Sequence, residues 1–212
     1  MELAAGSHGV VTGGELARAG IGRRAVARRL GDGRLRRLHR GVFLVGPLLG
    51  ARTLEVAAVL AVGRDAAISH RSAAELWELL PPSEHPIDVT VTEGHPHDRR
   101  GIRIHRSRSL LHSLHDGVWV TTPLRTLEDL TVTATRSDIE RAVEEAQVRR
   151  LVTRGEVERL RGRAGAAARG HEPSLTRSEA ERRLLRLVRA ADLPAPHTNA
   201  RIGPFEVDFL SA

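Results

Sequence analysis

Short apolar groups alternate with polar and glycine-rich turns over the first fifty residues. Thr12 and Glu15 have the spacing of a capping box, in which the hydroxyl and the carboxylate each bond a backbone amide at a helix start. They predict a short helix that is followed, after a glycine, by a second helix over residues 21–30. Apolar residues then alternate on both sides of a His-Arg-Gly turn within residues 35–44, and this alternation predicts a two-stranded hairpin.

Both helical and strand periodicities occur in the middle of the chain. They predict helices over residues 52–62 and 72–80, strands over residues 87–92, 101–107 and 118–122, and further helix starts at Thr122, Ser137 and Thr153. Ser69 and His70 fall in the predicted loop between the first two of these helices. A region that mixes the two periodicities in this way predicts an α+β fold.

The last fifty residues begin with a stretch that lacks apolar periodicity, residues 162–175, which we interpret as a linker. A helix and a short hairpin joined at Gly203 are predicted after it. The domain organisation expected from the sequence is therefore a head (1–50), an α+β middle domain (51–161), the linker and a C-terminal fragment (176–212).

The positive charge of the chain is concentrated at its start. All 33 basic residues are arginine, and nine of them lie in residues 1–50 against three acidic residues. Residues 51–160 carry 15 arginines against 17 acidic residues and are nearly neutral. A cationic head on a neutral body is typical of proteins that bind nucleic acid through one domain.

The predicted elements of the head occur in the order of a winged helix-turn-helix. In the second helix Val26 and Leu30 would point inward, so Arg24 and Arg28 would point outward and could pair with guanine in a major groove. The arginines of the hairpin would then contact phosphates or the minor groove. The alternative is a solvated basic surface without a ligand. The predicted DNA-binding residues are Arg23, Arg24, Arg28, Arg34, Arg36, Arg37 and Arg40.

Several other kinds of site are disfavoured by the sequence. The chain has no cysteine, which excludes disulfides, thiolate zinc sites and thiol nucleophiles. The histidines at 95 and 97 lack a third histidine at a metal-binding spacing, and no nucleophile-elbow or dinucleotide motif accompanies Ser69 and His70. We expect no bound cofactor. No apolar run is long enough for a membrane span or a secretory signal, so a cytoplasmic location without membrane partners is expected.

Three stretches of the middle region carry a family resemblance: SHRSAAELWEL (69–79), TVTEGHPHDRRGIRIHRS (90–107) and TTPLRTLEDL (121–130). Together with the order of elements over residues 1–160, they resemble bacterial proteins with an AbiEi-like antitoxin domain of type IV toxin-antitoxin systems. The resemblance implies a head that binds double-stranded DNA, at repeats in the promoter of its own gene. It also implies a following domain that supports repression and neutralises a nucleotidyltransferase toxin.

The C-terminal stretch SEAERRLLRLVRAADLPAPHTNARIGPFEVDFL resembles the start of very-short-patch-repair-type endonucleases of the PD-(D/E)XK superfamily. The resemblance implies that Glu181 and Asp208 occupy the positions of a helix glutamate and a metal-binding aspartate. Phosphodiester hydrolysis requires Mg²⁺ held by at least a pair of carboxylates, and the strand with the second acidic ligand is not present. We therefore expect an autorepressor with an incomplete nuclease fragment. The alternative function is a truncated endonuclease targeted by the head.

Overall fold

The computed structural model describes residues 8–63, 65–92 and 99–160, and in the C-terminal region residues 187, 188, 191, 194, 196, 197–202 and 205–210. In the head the elements are β1 (Val10–Thr12), α1 (Gly13–Arg18), α2 (Arg23–Gly31), β2 (Leu35–His39) and β3 (Val42–Val45). The body has α3 (Thr53–Val62), β4 (Ala66–Ile68), α4 (His70–Leu76), β5 (Ile87–Val91), β6 (Ile102–Arg106), β7 (His112–His115), β8 (Val118–Thr121), α5 (Pro123–Thr133), α6 (Arg136–Val148) and α7 (Arg154–Glu158).

The head has the predicted order of two helices and a hairpin, and it gains one strand that the sequence did not reveal. Strand β1 pairs antiparallel with β3, so the sheet has the order β1-β3-β2. The capping box at α1 is confirmed, since the amide of Glu15 donates to the Thr12 hydroxyl and the Glu15 carboxylate accepts from the Thr12 amide. Gly41 has a φ of +78° in the hairpin turn, a conformation that glycine adopts without strain.

Helix α3 joins the head to the body. It contacts all three strands of the head sheet and also β4, β5 and β8 of the body. One apolar cluster accordingly contains Val10 and Val42 from the head, Val56 from α3, and Val89 and Ile102 from the body sheet. Alanine and valine predominate along α3, and their small size lets the helix lie close to both sheets.

The body sheet has five strands in the order β6-β5-β4-β8-β7. Strands β4 and β8 are parallel, as are β5 and β6, whereas the pairs β4–β5 and β7–β8 are antiparallel. Three of these strands were predicted, but β4 and β7 were not. Strand β6 is at one edge of the sheet and β7 at the other.

The remaining helices form a second apolar cluster, in which Leu79 and Leu80 pack against Leu127, Leu130 and Ile139. Three predicted helix starts are wrong, and the first of them is that of α2, which begins at Arg23 rather than at residue 21. Helix α4 begins at His70 rather than at Ser72, and α6 begins at Arg136, because the hydroxyl of Thr135 accepts from the amide of Asp138 and caps the helix first.

Helix caps at two other predicted positions are confirmed. Thr122 caps α5 with Pro123 at its first position, and Thr153 and Glu156 form the capping box of α7. The combination of helices and sheets confirms an α+β fold.

The C-terminal region contributes an antiparallel hairpin of β9 (His197–Ile202) and β10 (Phe205–Leu210), at the two strands predicted there. Asp208 lies on β10. Glu181 and residues 162–175 lie outside the described residues, so the nuclease-like arrangement and the linker stay predictions. The last named element before this hairpin is α7, which ends at Glu158.

Candidate nucleic-acid interface

Helix α2 presents its cationic side to solvent, as its apolar spacing requires. Val26 and Leu30 are half-buried and pack against the small head cluster formed by Val11, Leu16, Leu35 and Phe43. Arg23, Arg24 and Arg28 are exposed. The N-cap is Gly22, which provides no side-chain hydrogen bond, and the first turn contains no acidic residue. The amino end of α2 therefore combines free backbone amides with arginines, an arrangement that favours anions.

The hairpin arginines lie on two different faces of the head sheet. Arg37 pairs with Phe43, and its guanidinium carbon lies 5.8 Å from the centre of the Phe43 ring, on the face that packs against α2. Arg36 pairs with Leu44 and lies on the opposite face, because successive residues of a strand point in opposite directions. The sequence predicts a single cationic surface that includes Arg36 and Arg37, whereas the strand register divides them between two faces.

All seven predicted DNA-binding arginines are exposed, including Arg34 and Arg40 beside the hairpin. None of them forms an ion pair with an acidic residue in the described part of the chain. The arginines that do form ion pairs there lie in the body, among them Arg52, Arg71 and Arg125. The positive charge of the head is therefore available to an external polyanion.

A second polar site lies in the body, where the three stretches that carry the family resemblance meet. His105 stacks on His70, with 3.6 Å between ring centroids, and its Nε2 donates to Oδ1 of Asp88 over 2.8 Å. The hydroxyl of Thr90 donates to Oγ of Ser69, which lies 3.0 Å from Nδ1 of His70. Ser69 and Thr90 are buried, so this network has an internal, structural character.

The environment of His70 keeps its ring neutral. Burial, with a further contribution from the electrostatic interaction with His105, lowers the pKa of His70 from 6.5 to about 4. The hydroxyl of Ser69 accepts a hydrogen bond from Thr90 and can donate one to Nδ1 of His70, which agrees with a neutral imidazole. His70 also has a φ of +49°, an uncommon conformation for a residue with a side chain.

The third stretch contributes an arginine–aspartate pair. Nε of Arg125 donates to Oδ1 of Asp129 over 2.7 Å, and its other nitrogens donate to the carbonyl of Ser109 and the hydroxyl of Ser107. Burial raises the pKa of Asp129, against the hydrogen bond from Arg125, which lowers it. The helix α5 is thereby tied to the chain segment that follows β6.

The described residues contain no group of three or more His, Cys, Asp or Glu side chains placed to hold a metal ion. The histidines at 95 and 97 lie outside these residues. No helix in the described part is long and apolar enough to cross a membrane.

The fold and the surface define the class of this protein. It is an α+β protein whose head presents a cationic helix and a cationic hairpin. The head matches a known family: residues 1–46 fit the family model described as "Transcriptional regulator, AbiEi antitoxin". This finding agrees with the antitoxin part of the predicted resemblance, and it covers the head rather than the body. No curated protein matches the chain.

The fold has a counterpart among solved structures. The crystal structure of the RV2827C protein from Mycobacterium tuberculosis superimposes with a TM-score of 0.53 at 17% sequence identity, covering 78% of this chain and 73% of that one. The similarity thus extends beyond the head into the body. At this level of identity it shows a shared fold alone.

Proposed function

We propose that this protein is a sequence-specific DNA-binding transcriptional regulator of the AbiEi antitoxin type, with residues 1–50 acting as a winged helix-turn-helix. The observation that carries the proposal is the set of exposed head arginines without ion-pair partners in the described residues. In this proposal α2 lies in the major groove, and the β2–β3 hairpin acts as the wing.

The polarity of α2 supports this assignment. Arg24 and Arg28 are four residues apart and share one exposed face, with the small side chain of Ala27 between them. This arrangement lets the helix approach base edges closely while two planar guanidinium groups reach guanine O6 and N7. Arg23 and the uncapped amides at the start of α2 would then hold a phosphate.

The antitoxin role rests on the family match of the head and on the resemblance of the body stretches. In this role the chain represses its own promoter, and the body contacts a nucleotidyltransferase toxin. Coexpression with the product of a neighbouring nucleotidyltransferase gene, followed by rescue of growth, tests this part. If the nucleotidyltransferase inhibits growth and this chain does not relieve the inhibition, the protein is a transcriptional regulator without an antitoxin role.

We expect the variants Arg24→Ala and Arg28→Ala to lose preference for promoter DNA over an unrelated duplex, at a cost of roughly 1–3 kcal/mol for each bidentate base contact. Fluorescence anisotropy with both duplexes over a range of salt concentrations measures the preference. Arg154→Ala is the matched control, since it removes one exposed arginine from α7 in the body. If both head variants discriminate between the duplexes as well as the parent protein does, α2 is not the recognition helix.

A further inference from the structure

We infer that the head binds a small amphipathic carboxylate in a cavity beneath α2, the helix proposed to lie in the major groove, and that this ligand regulates DNA binding. The ligand has an aliphatic body and one carboxylate group. The site itself is argued from the geometry of the head, whereas the regulatory effect rests on the proposed DNA-binding function.

The cavity lies between the two helices of the head and the adjoining face of its sheet. It has a volume of about 540 Å³ and is open to solvent on one side. Small-molecule sites in proteins usually have volumes of about 300–1,000 Å³ and a mainly apolar lining with a few polar groups. The apolar lining of this cavity comes from α1, from the turn before α2, from all three strands and from the residue two after β3: Leu16, Ile21, Val11, Leu35, Val45 and Pro47.

The cavity exists because α2 brings few large apolar side chains to the head core. No residue of α2 is fully buried, and Val26 and Leu30 are only half-buried. Protein interiors are normally packed as densely as organic crystals, so a gap of this size in a small domain is unusual. Gly33 and Gly46 belong to the lining, and the space where their side chains would stand is open. A ligand therefore has both a path into the cavity and apolar surface to cover.

The lining favours an aliphatic body over an aromatic one. All six apolar side chains of the lining are aliphatic, and no aromatic residue lines the cavity in the described part of the chain. Phe43 belongs to the small head cluster, but its ring lies against the guanidinium of Arg37. An alkyl chain gains free energy against such a lining in proportion to the apolar area that it removes from water.

Two arginines bring positive charge to this apolar cavity. Arg29 is half-buried, and its Nη1 donates to the carbonyl of Ala25 over 3.3 Å, which holds the guanidinium beside α2. Arg34 lines the cavity from the segment before β2. Neither forms an ion pair with an acidic residue that the structure describes, although the exposed Asp32 belongs to the same lining. Two arginines against one aspartate favour a carboxylate, which accepts charge-assisted hydrogen bonds from guanidinium groups.

A ligand in this cavity affects the part of the head that is proposed to bind DNA. Helix α2 has Arg29 on the side toward the cavity, whereas Arg24 and Arg28 are exposed. A ligand that separates α2 from the sheet shifts the helix relative to the wing, and promoter binding requires both to fit one duplex. The carboxylate also competes with phosphate for Arg34. We therefore expect the ligand to weaken promoter binding, and DNA must weaken ligand binding by the same factor.

The first test measures ligand binding to the full chain without DNA. Isothermal titration calorimetry with octanoate should show saturable binding of one molecule per chain. Octan-1-ol has the same alkyl chain without the charge, and octyltrimethylammonium has the opposite charge, so both should bind about tenfold more weakly or worse. Absence of saturable octanoate binding, or equal binding of the three compounds, would overturn the inference.

Two variants and a control test the position of the site. Arg29→Gln should weaken octanoate binding about tenfold or more and leave octan-1-ol binding unchanged, because it removes the charge and keeps the apolar lining. Arg18→Gln is the matched control, since Arg18 is exposed on α1 and does not line the cavity. Equal octanoate affinities of these two variants would overturn the assignment. Val45→Phe adds apolar volume inside the cavity and should abolish binding of both compounds. If circular dichroism shows this variant to be folded and it binds octanoate like the parent, the cavity is not the site.

The regulatory effect is measured by fluorescence anisotropy of a labelled promoter duplex with and without saturating octanoate. Promoter affinity should fall about fivefold or more for the parent protein, and less for Arg29→Gln at the same octanoate concentration. A promoter affinity that octanoate does not change would overturn the regulatory part of the inference. A parent protein that binds octanoate but no duplex would instead overturn the proposed DNA-binding function and leave the ligand site intact, so the two failures are distinct.

Discussion

Single residues show how one strand divides a cationic sequence between two surfaces. Arg36 and Arg37 are neighbours in the chain, yet one lies on the face toward the body and the other lies over Phe43 on the face toward α2. Exposure of both could be predicted from the sequence. Their separation follows only from the pairing register with β3, because the register determines which positions of β2 face the head cluster.

His70 makes the stability of the protein depend on pH. Its pKa is about 4 in the folded chain and near 6.5 when the chain is unfolded, so the unfolded state binds the proton more readily between these values. The stabilising contribution is therefore complete above pH 6.5 and is lost as the pH falls toward 4. The full difference amounts to roughly 3 kcal/mol.

Urea unfolding of the parent protein and of His70→Asn at several pH values measures this contribution. Asparagine is the suitable replacement, since it tolerates the positive φ of +49° better than other residues with a side chain. Asp129 contributes with the opposite sign, because its pKa is raised, and this contribution is common to both proteins. Parallel pH profiles for the two proteins would mean that His70 is not the group that titrates.

The helices α1, α5, α6 and α7 start where a threonine hydroxyl caps them, and three of these four starts could be predicted. The boxes at Thr12 and Thr153 are local, since all of their hydrogen bonds lie within four residues. The short strands β1, β4 and β7 could not be predicted in the same way. Their three or four residues become strands only through partners that lie far away in the chain.

At the level of elements we expect Thr12→Ala to destabilise the protein by about 1 kcal/mol, because the first turn of α1 loses the acceptor for the Glu15 amide. In urea unfolding, this loss should lower the midpoint concentration of urea. The slope of the unfolding free energy against urea concentration should stay unchanged. Thr12→Ser retains the hydroxyl and is the control. An alanine variant as stable as the serine variant would show that the cap contributes nothing.

For the whole molecule, the shared core around α3 predicts that head and body unfold together. Val10 lies in the head, is 0% exposed and belongs to the cluster that extends into the body sheet. The only two tryptophans, Trp77 and Trp119, both lie in the body. Fluorescence therefore reports on the body when a change is made in the head.

Val10→Ala should remove about 2 kcal/mol of stability through lost burial and an incompletely filled cavity. The unfolding transition seen by tryptophan fluorescence should then shift by about 4–8 °C. Val89→Ala on β5 serves as the reference for a change made within the body. If the fluorescence transition of this variant stays unchanged while part of its circular dichroism signal is lost at a lower temperature, the head unfolds independently of the body.

By itself the sequence determined the α+β class, the helix-helix-hairpin order of the head and the exposure of its arginines. These properties depend on periodicity, caps and turns, whose interactions span only a few residues. The tertiary structure decided which face of β2 each arginine occupies, and it decided that His70 and His105 stack beside Asp88. Both arrangements depend on strand register and on a core assembled from distant parts of the chain.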